Sequence, residues 1–214
     1  MTHPASGAPA DPYRYGVYLR PDPHTCLAVT TVTGQLRAQY GLVSAGAFPP
    51  HATLIGSQHI TADPERIIDA LTLALAGRAP FSVFNNGVQR QGIGFVYNVH
   101  FLADGRTANP DLIDLARTVD RAVAPLVTPA SSSHPGQIFD PMTFEGHLSL
   151  ASHDLYQRPD LHAELEDYLH GLPVTYPATF TAENVSLYRT RSKDWTGRWW
   201  QTLSWKHMHT WRLQ

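Results

Sequence analysis

Phe48-Pro49-Pro50-His51-Ala52-Thr53-Leu54 and, roughly a hundred residues later, Phe144-Glu145-Gly146-His147-Leu148-Ser149-Leu150 share one design. Each reads His-x-Thr/Ser-Leu. On a β-strand, residues i and i+2 project to the same face about 6.5–7 Å apart. His51 with Thr53, and His147 with Ser149, therefore each present an imidazole and a hydroxyl side by side. The residues between and after them, Ala52 and Leu54 in one stretch and Leu148 and Leu150 in the other, are apolar and suited to packing beneath helices. Each strand has an apolar back and a polar, chemically capable front.

A site that attacks a phosphodiester needs a base to take a proton from water, an acid to protonate the departing alkoxide, and neutral donors for the non-bridging oxygens. Two histidines and two hydroxyls meet that list. His51 and His147 supply the acid–base pair, each worth about 10²–10⁴-fold in rate, and Thr53 and Ser149 stabilise charge on the phosphoryl group. No metal or other cofactor is required. A strained five-membered cyclic phosphate suits such a site, because ring opening helps drive loss of the leaving oxygen. A lone His-x-Thr on a strand is commonly a structural histidine; repetition with the same hydroxyl spacing and the same apolar alternation lifts the pair above that reading.

The 214 residues, 43% hydrophobic and 16% charged, suit one domain or two small lobes sharing a cleft, and exclude a collagen, a coiled coil or a disulfide scaffold. No apolar stretch approaches the roughly 20 residues that span a bilayer. With Cys26 the single cysteine and no basic or apolar leader pattern in MTHPASGAPAD, the expectation is a soluble protein of the reducing cytoplasm. Sixteen Lys and Arg against eighteen Asp and Glu give a net charge of −2, so no global field draws in a long polyanion and phosphate is bound locally. The expected partner is a small nucleotide or short RNA. No membrane and no obligate protein partner is implied, and the chain is expected to be a monomer.

Working outward, residues 1–12 lack periodicity and read as a tail. Tyr15, Val17 and Leu19 alternate with Gly16, Tyr18 and Arg20 as a half-buried strand. Cys26 to Tyr40 reads as a helix stopped at Gly41. Asp63-Pro64 and Asn109-Pro110 start two amphipathic helices, with faces Ile67, Leu71, Leu75 and Leu112, Leu115, Val119, Val123; a third runs from about Pro159 to Gly171. Strand-like runs cover Ala52–Ile60, Phe81–Gln89, Gly94–Leu102, Gly146–His153, Phe180–Thr190 and Trp199–His209. Val127–Pro141 reads as a loop insertion. His207-Met208-His209 would place two imidazoles on one strand face, compatible with a metal.

The paired motifs, with Pro49-Pro50 before the first and Val185-Ser186-Leu187-Tyr188-Arg189-Thr190 downstream, resemble the two-histidine (2H) phosphoesterase superfamily, whose bacterial members are often labelled 2′-5′ RNA ligases or cyclic phosphodiesterases. The similarity in layout covers roughly residues 13–213. It implies a two-lobed, pseudo-symmetric α+β fold in which antiparallel strands line a central cleft and helices lie outside, making 13–214 a single two-lobed catalytic domain. It also implies metal-independent opening of 2′,3′-cyclic phosphates or cleavage of 2′-5′ linkages. By analogy His51 protonates the leaving oxygen and His147 activates water, an order that the near-symmetry of the site leaves open. Relatives often stack a base on an aromatic residue near the cleft. Strand alternation offers Tyr18 and Tyr188 for this, with Arg189 as a local anion partner, and stacking is worth about 1–3 kcal/mol per base. The tryptophans Trp195, Trp199, Trp200, Trp205 and Trp211 depart from the simplest family pattern and leave the substrate open. Competing readings are a noncatalytic nucleotide or RNA-end binding module, ligation by the reverse reaction, and a metal hydrolase built on His207 and His209.

Overall fold

Three Asx-Pro pairs start three helices. The side chains of Asp22, Asp63 and Asn109 accept first-turn N–H groups, from Thr25 at 2.7 Å, Glu65 at 3.1 Å and Asp111 at 3.1 Å. The proline that follows each lacks only an N–H that the first turn leaves unpaired anyway. These caps open α1 (Pro23–Tyr40), α2 (Pro64–Leu75) and α3 (Pro110–Val123). The first helix therefore begins at Pro23, three residues before the sequence reading put it. It ends where Gly41, at φ +71°, donates its N–H to the Arg37 carbonyl. One 3₁₀ turn at Pro159–Leu161 leads into α4 (His162–Gly171).

This computed structural model describes residues 13–128, 139–195 and 197–214; the expected tail and most of the Val127–Pro141 loop lie outside them. Nine strands are present among the described residues: β1 (Tyr13–Arg20), β2 (Ala52–Gln58), β3 (Phe81–Phe84), β4 (Val88–Gln91), β5 (Gly94–Asn98), β6 (His147–Ala151), β7 (Thr179–Ala182), β8 (Asn184–Arg191) and β9 (Ser204–Arg212). Seven form one antiparallel sheet in the order β4-β5-β6-β2-β1-β8-β9, while β3 and β7 pair separately. The runs Phe81–Gln89 and Phe180–Thr190 each break in two and feed both sheets. The first breaks at a turn where Gly87, at φ +87°, donates its N–H to Asn85 Oδ1.

Pseudo-symmetry relates the two halves of the large sheet. Strand, helix and neighbouring strand recur as β1-α1-β2 and β5-α3-β6, with β2 and β6 meeting at the centre. The helices cross over: α1 packs on β6, α3 on β2, and α2 on α3. Their faces, including Val32, Leu36, Ile67, Leu71, Leu112, Leu115 and Val119, form one core with Val17, Leu19, Leu54, Leu148, Leu150, Val185 and Leu187. Burial of each such leucine contributes about 1.5–3 kcal/mol. The apolar backs of both motif strands are thus anchored, which leaves their fronts facing away from the helices.

No helix among the described residues is long and apolar enough to cross a membrane. The pairing of β8 with β9 corrects the expectation for the histidine pair. A register shift sets His207 against Tyr188 and His209 against Leu187, neighbours on opposite faces of β8. A bulge of this kind reverses the alternation. His207 accordingly packs on Tyr188 and bonds Thr210 Oγ1 at 2.7 Å, while His209 packs on Trp211.

Candidate active site

Strands β2 and β6 pair at Ala52 and Leu148. Extending this antiparallel register by one residue each way sets His51 across from Ser149 and Thr53 across from His147. Residues directly opposite lie about 4.5–5.5 Å apart and diagonal ones about 7–8 Å. The four side chains thus make a square with the imidazoles on one diagonal and the hydroxyls on the other. All four line a cavity of about 1130 Å³. Gly146, immediately before His147, lets β6 begin hard against α3, since a Cβ there would lie 2.6 Å from Leu112 Cδ2.

The motifs repeat in hydrogen bonding as well as in sequence. His51 Nδ1 lies 2.7 Å from the Pro49 carbonyl, and His147 Nδ1 lies 2.8 Å from the Glu145 carbonyl. A carbonyl only accepts, so each Nδ1 carries the proton and donates it to the backbone two residues earlier. That sets the same tautomer in both rings and leaves each Nε2 for the cleft. A neutral imidazole held this way offers a lone pair at Nε2, and a cationic one offers a proton there.

Surroundings distinguish the two. The His51 ring packs edge-on against Tyr18 (4.6 Å between centroids) and Phe48 (4.9 Å). Burial drives its pKa down, and positive charge on His147 adds to the effect. The bond to the Pro49 carbonyl opposes both, and the result is a pKa of about 4. His51 is therefore neutral at pH 7 in the free protein. His147 instead borders a second cavity of about 200 Å³ shared with Asp120, Asp140 and Glu145. Phe144, the counterpart of Phe48, packs on Phe139 and His100 instead of on its motif histidine.

The residues read as substrate-binding separate here. Tyr18 lines the cleft, but at 6% exposure its ring supports His51, and its hydroxyl, 3.4 Å from Ser57 Oγ, is held acid-weak by burial. Its ring folds over Gly16, where a Cβ would collide with the Tyr18 hydroxyl. Tyr188, 8% exposed, sits behind it against Phe48, Trp205 and His207 and is not among the residues lining the cleft. Arg189 is turned to the other face of β8, its guanidinium 4.4 Å over the Tyr13 ring, and does not line the cleft either. The cationic groups that do are Arg14 and Arg198, joined by His153 and by Trp195, Trp199 and Trp200. Arg14 was legible in principle, since it shares the strand face of Tyr18 at a spacing of four; nothing local marks Arg198. Among the described residues no group of three His, Cys, Asp or Glu side chains converges as a metal cluster would.

A seven-stranded antiparallel sheet with two His-x-Thr/Ser strands side by side on a cleft floor defines the two-histidine phosphoesterase class. A family model for the 2′-5′ RNA ligase superfamily matches residues 13–194, and the chain belongs to that superfamily, whose members are phosphoesterases. Similar solved structures include E. coli LigT complexed with 3′-AMP, at 15% identity over 95% of this chain and 99% of that one, with a TM-score of 0.52. Another is TT0787 of Thermus thermophilus, at 11% identity over 94% and 97%, with a TM-score of 0.53. At such identities the likeness is one of fold. No curated protein matches the chain significantly in sequence.

Proposed function

We propose that the protein is a metal-independent phosphodiesterase that hydrolyses 2′,3′-cyclic phosphates or short 2′-5′-linked nucleotides through His51 and His147. The observation that carries this reading is the duplicated Nδ1–H bond to the backbone carbonyl, which leaves two Nε2 atoms on one diagonal of a four-residue square. A phosphate centred on that square has an imidazole on each side, suited to in-line displacement. One imidazole accepts a proton from the attacking water while the other donates one to the departing ribose oxygen. Thr53 and Ser149 donate to the non-bridging oxygens between them.

The protonation state of His51 supports one division of the two roles. His51, neutral with its lone pair at Nε2, is in the form that accepts a proton, which leaves His147 to protonate the leaving oxygen. This is the reverse of the order implied by family resemblance. As the new P–O bond to water forms, one ring P–O bond breaks, and the transferred protons leave the histidine pair in swapped protonation states. Exchange with solvent then resets it.

Incubation with a panel of 2′,3′-cyclic mononucleotides in EDTA, beside His51→Ala and His147→Ala, tests the proposal. Turnover in chelator, abolished by either substitution, is the expected result, and the phosphomonoester isomer formed identifies the oxygen that leaves. Full activity in either variant, or activity lost in EDTA and restored by a divalent metal, would overturn it.

A further inference from the structure

The His/hydroxyl square occupies one part of a cleft whose roughly 1130 Å³ exceeds the about 300–1,000 Å³ of ordinary small-ligand sites. The rest is walled by the connection between β8 and β9 and by the turn that follows β6. Trp195 and Trp199 lie nearly parallel there, at 21° with centroids 6.4 Å apart. His153 packs on Trp199 at 5.0 Å and on Trp200 at 5.6 Å. The Arg14 guanidinium stands 5.6 Å over Trp195, and Arg198 lines the same space. Asp194 also lines it, with Oδ1 accepting the Gly197 N–H at 2.9 Å.

This wall is braced from behind. Ser192 Oγ, on a residue only 2% exposed, lies 3.0 Å from both the Trp199 carbonyl and Thr202 Oγ1, and Thr202 Oγ1 accepts the Lys193 N–H at 3.0 Å. On the turn that follows β6, the Asp154 carboxylate accepts the N–H groups of Val43 and Ser44 at 2.9 and 2.6 Å, and Ser44 Oγ lies 2.9 Å from Ser152 Oγ. Bracing of the Trp199 backbone and of the turn that carries His153 lowers the ordering cost of binding. The opposite end of the site differs in sign. The smaller cavity past Thr53 and His147 is lined by Asp120, Asp140 and Glu145, with no Lys or Arg among its described lining residues.

Building on the phosphoesterase reading, we propose that the Trp195–Trp199 wall with Arg14 and Arg198 is a second-nucleotide subsite, so that the protein acts on a strand end and prefers a dinucleotide to a mononucleotide. The terminal phosphate sits between His51 and His147. The penultimate base lies against the indole wall, which accepts any base because every base has a π-face. The phosphate joining the two nucleotides faces the arginines. Carboxylates at the far end disfavour a polyanion that continues past the terminal nucleotide, which selects ends over internal positions.

The test compares kcat/KM for a 2′,3′-cyclic mononucleotide with that for a dinucleotide ending in the same cyclic phosphate. The dinucleotide is expected to be favoured by about 10- to 100-fold. Combined Trp195→Ala and Trp199→Ala substitution should bring that ratio towards one, Trp199→Phe should keep most of it, and Arg198→Glu, at an exposed position, should lower it. A wild-type ratio near one, or a ratio unmoved by the double substitution, overturns the subsite. Quenching of intrinsic tryptophan fluorescence by a dinucleotide 3′-phosphate and by a mononucleotide 3′-phosphate reads the same preference without turnover. If neither cyclic compound is hydrolysed, the phosphoesterase reading fails. Tighter dinucleotide binding that the alanine pair abolishes would still uphold the subsite, and equal binding would remove it.

Discussion

In the first motif His51 sits under Phe48 and beside Tyr18, whose strand neighbour is Thr53; in the second, the position matching Tyr18 is Val96, paired with Ser149, and Phe144 turns away to Phe139 and His100. Both imidazoles make the same bond to the carbonyl two residues before them. The backbone therefore repeats the tautomer, while the surrounding side chains set the two histidines apart. Duplicated strands supply a symmetric pair of nitrogens, and unequal packing buries one imidazole, His51, more tightly among aromatic rings than the other; the proposed division into proton acceptor and donor rests on that difference.

The severest way to break the comparison is to remove either imidazole. His51→Ala and His147→Ala are each expected to lower kcat/KM by about 10²–10⁴-fold, and the double variant should lose little more, because the two act as a unit. Strictly multiplicative losses in cyclic-phosphate assays would show that they work independently. Removing a hydroxyl is expected to cost less. Thr53→Val and Ser149→Ala should each reduce kcat by about 10²-fold with a smaller change in KM, since the donors bond most strongly to charge that develops in the transition state.

Acid sharpens the contrast through stability. The folded-state pKa of His51 lies below its ordinary 6.5, at about 4. Its contribution is therefore complete above about pH 6.5 and declines as pH falls from there to about 4, by about 3 kcal/mol at most. Burial lowers the pKa values of His100 and His153 too, so both add losses of the same sign. Urea unfolding from pH 7 to pH 4 should show a shallower decline for His51→Gln than for the wild type. The smallest effect is expected from Phe48→Ala, which uncovers one side of the His51 ring and should move its NMR titration midpoint upward, towards the ordinary histidine range. A midpoint that stays put would show that Phe48 does not cause the asymmetry.

Local signals carried much of this. The Asx-Pro caps were readable at Asp63-Pro64 and Asn109-Pro110; the same signal at Asp22-Pro23 was legible too, although proline after Arg20 reads first as the end of a strand. The His-x-Thr/Ser strands, with their apolar backs at Ala52, Leu54, Leu148 and Leu150, were recognisable because a period of two is a property of extended backbone. The β9 bulge was not: an extra residue in a ladder depends on which strand lies alongside, and the histidines of His207-Met208-His209 therefore fall on opposite faces. Tyr188 and Arg189 illustrate the same limit. Alternation puts them on opposite faces of β8, but only neighbouring strands and side chains determine that one lies behind Tyr18 and the other over Tyr13.

The sequence by itself determined that two strands would each carry a histidine and a hydroxyl on one face, that helices would cover the other, and that these groups suit phosphoester chemistry. These properties follow from periodicity, capping and side-chain type, all set within a few residues along the chain. The tertiary structure decided that β2 and β6 would be neighbours joined at Ala52 and Leu148, that Phe48 would cover its histidine and Phe144 would not, and that Arg14, Arg198 and the indoles of Trp195 and Trp199 would wall the cleft. Those outcomes depend on contacts between residues far apart in sequence, which packing of the whole core selects and no local pattern encodes.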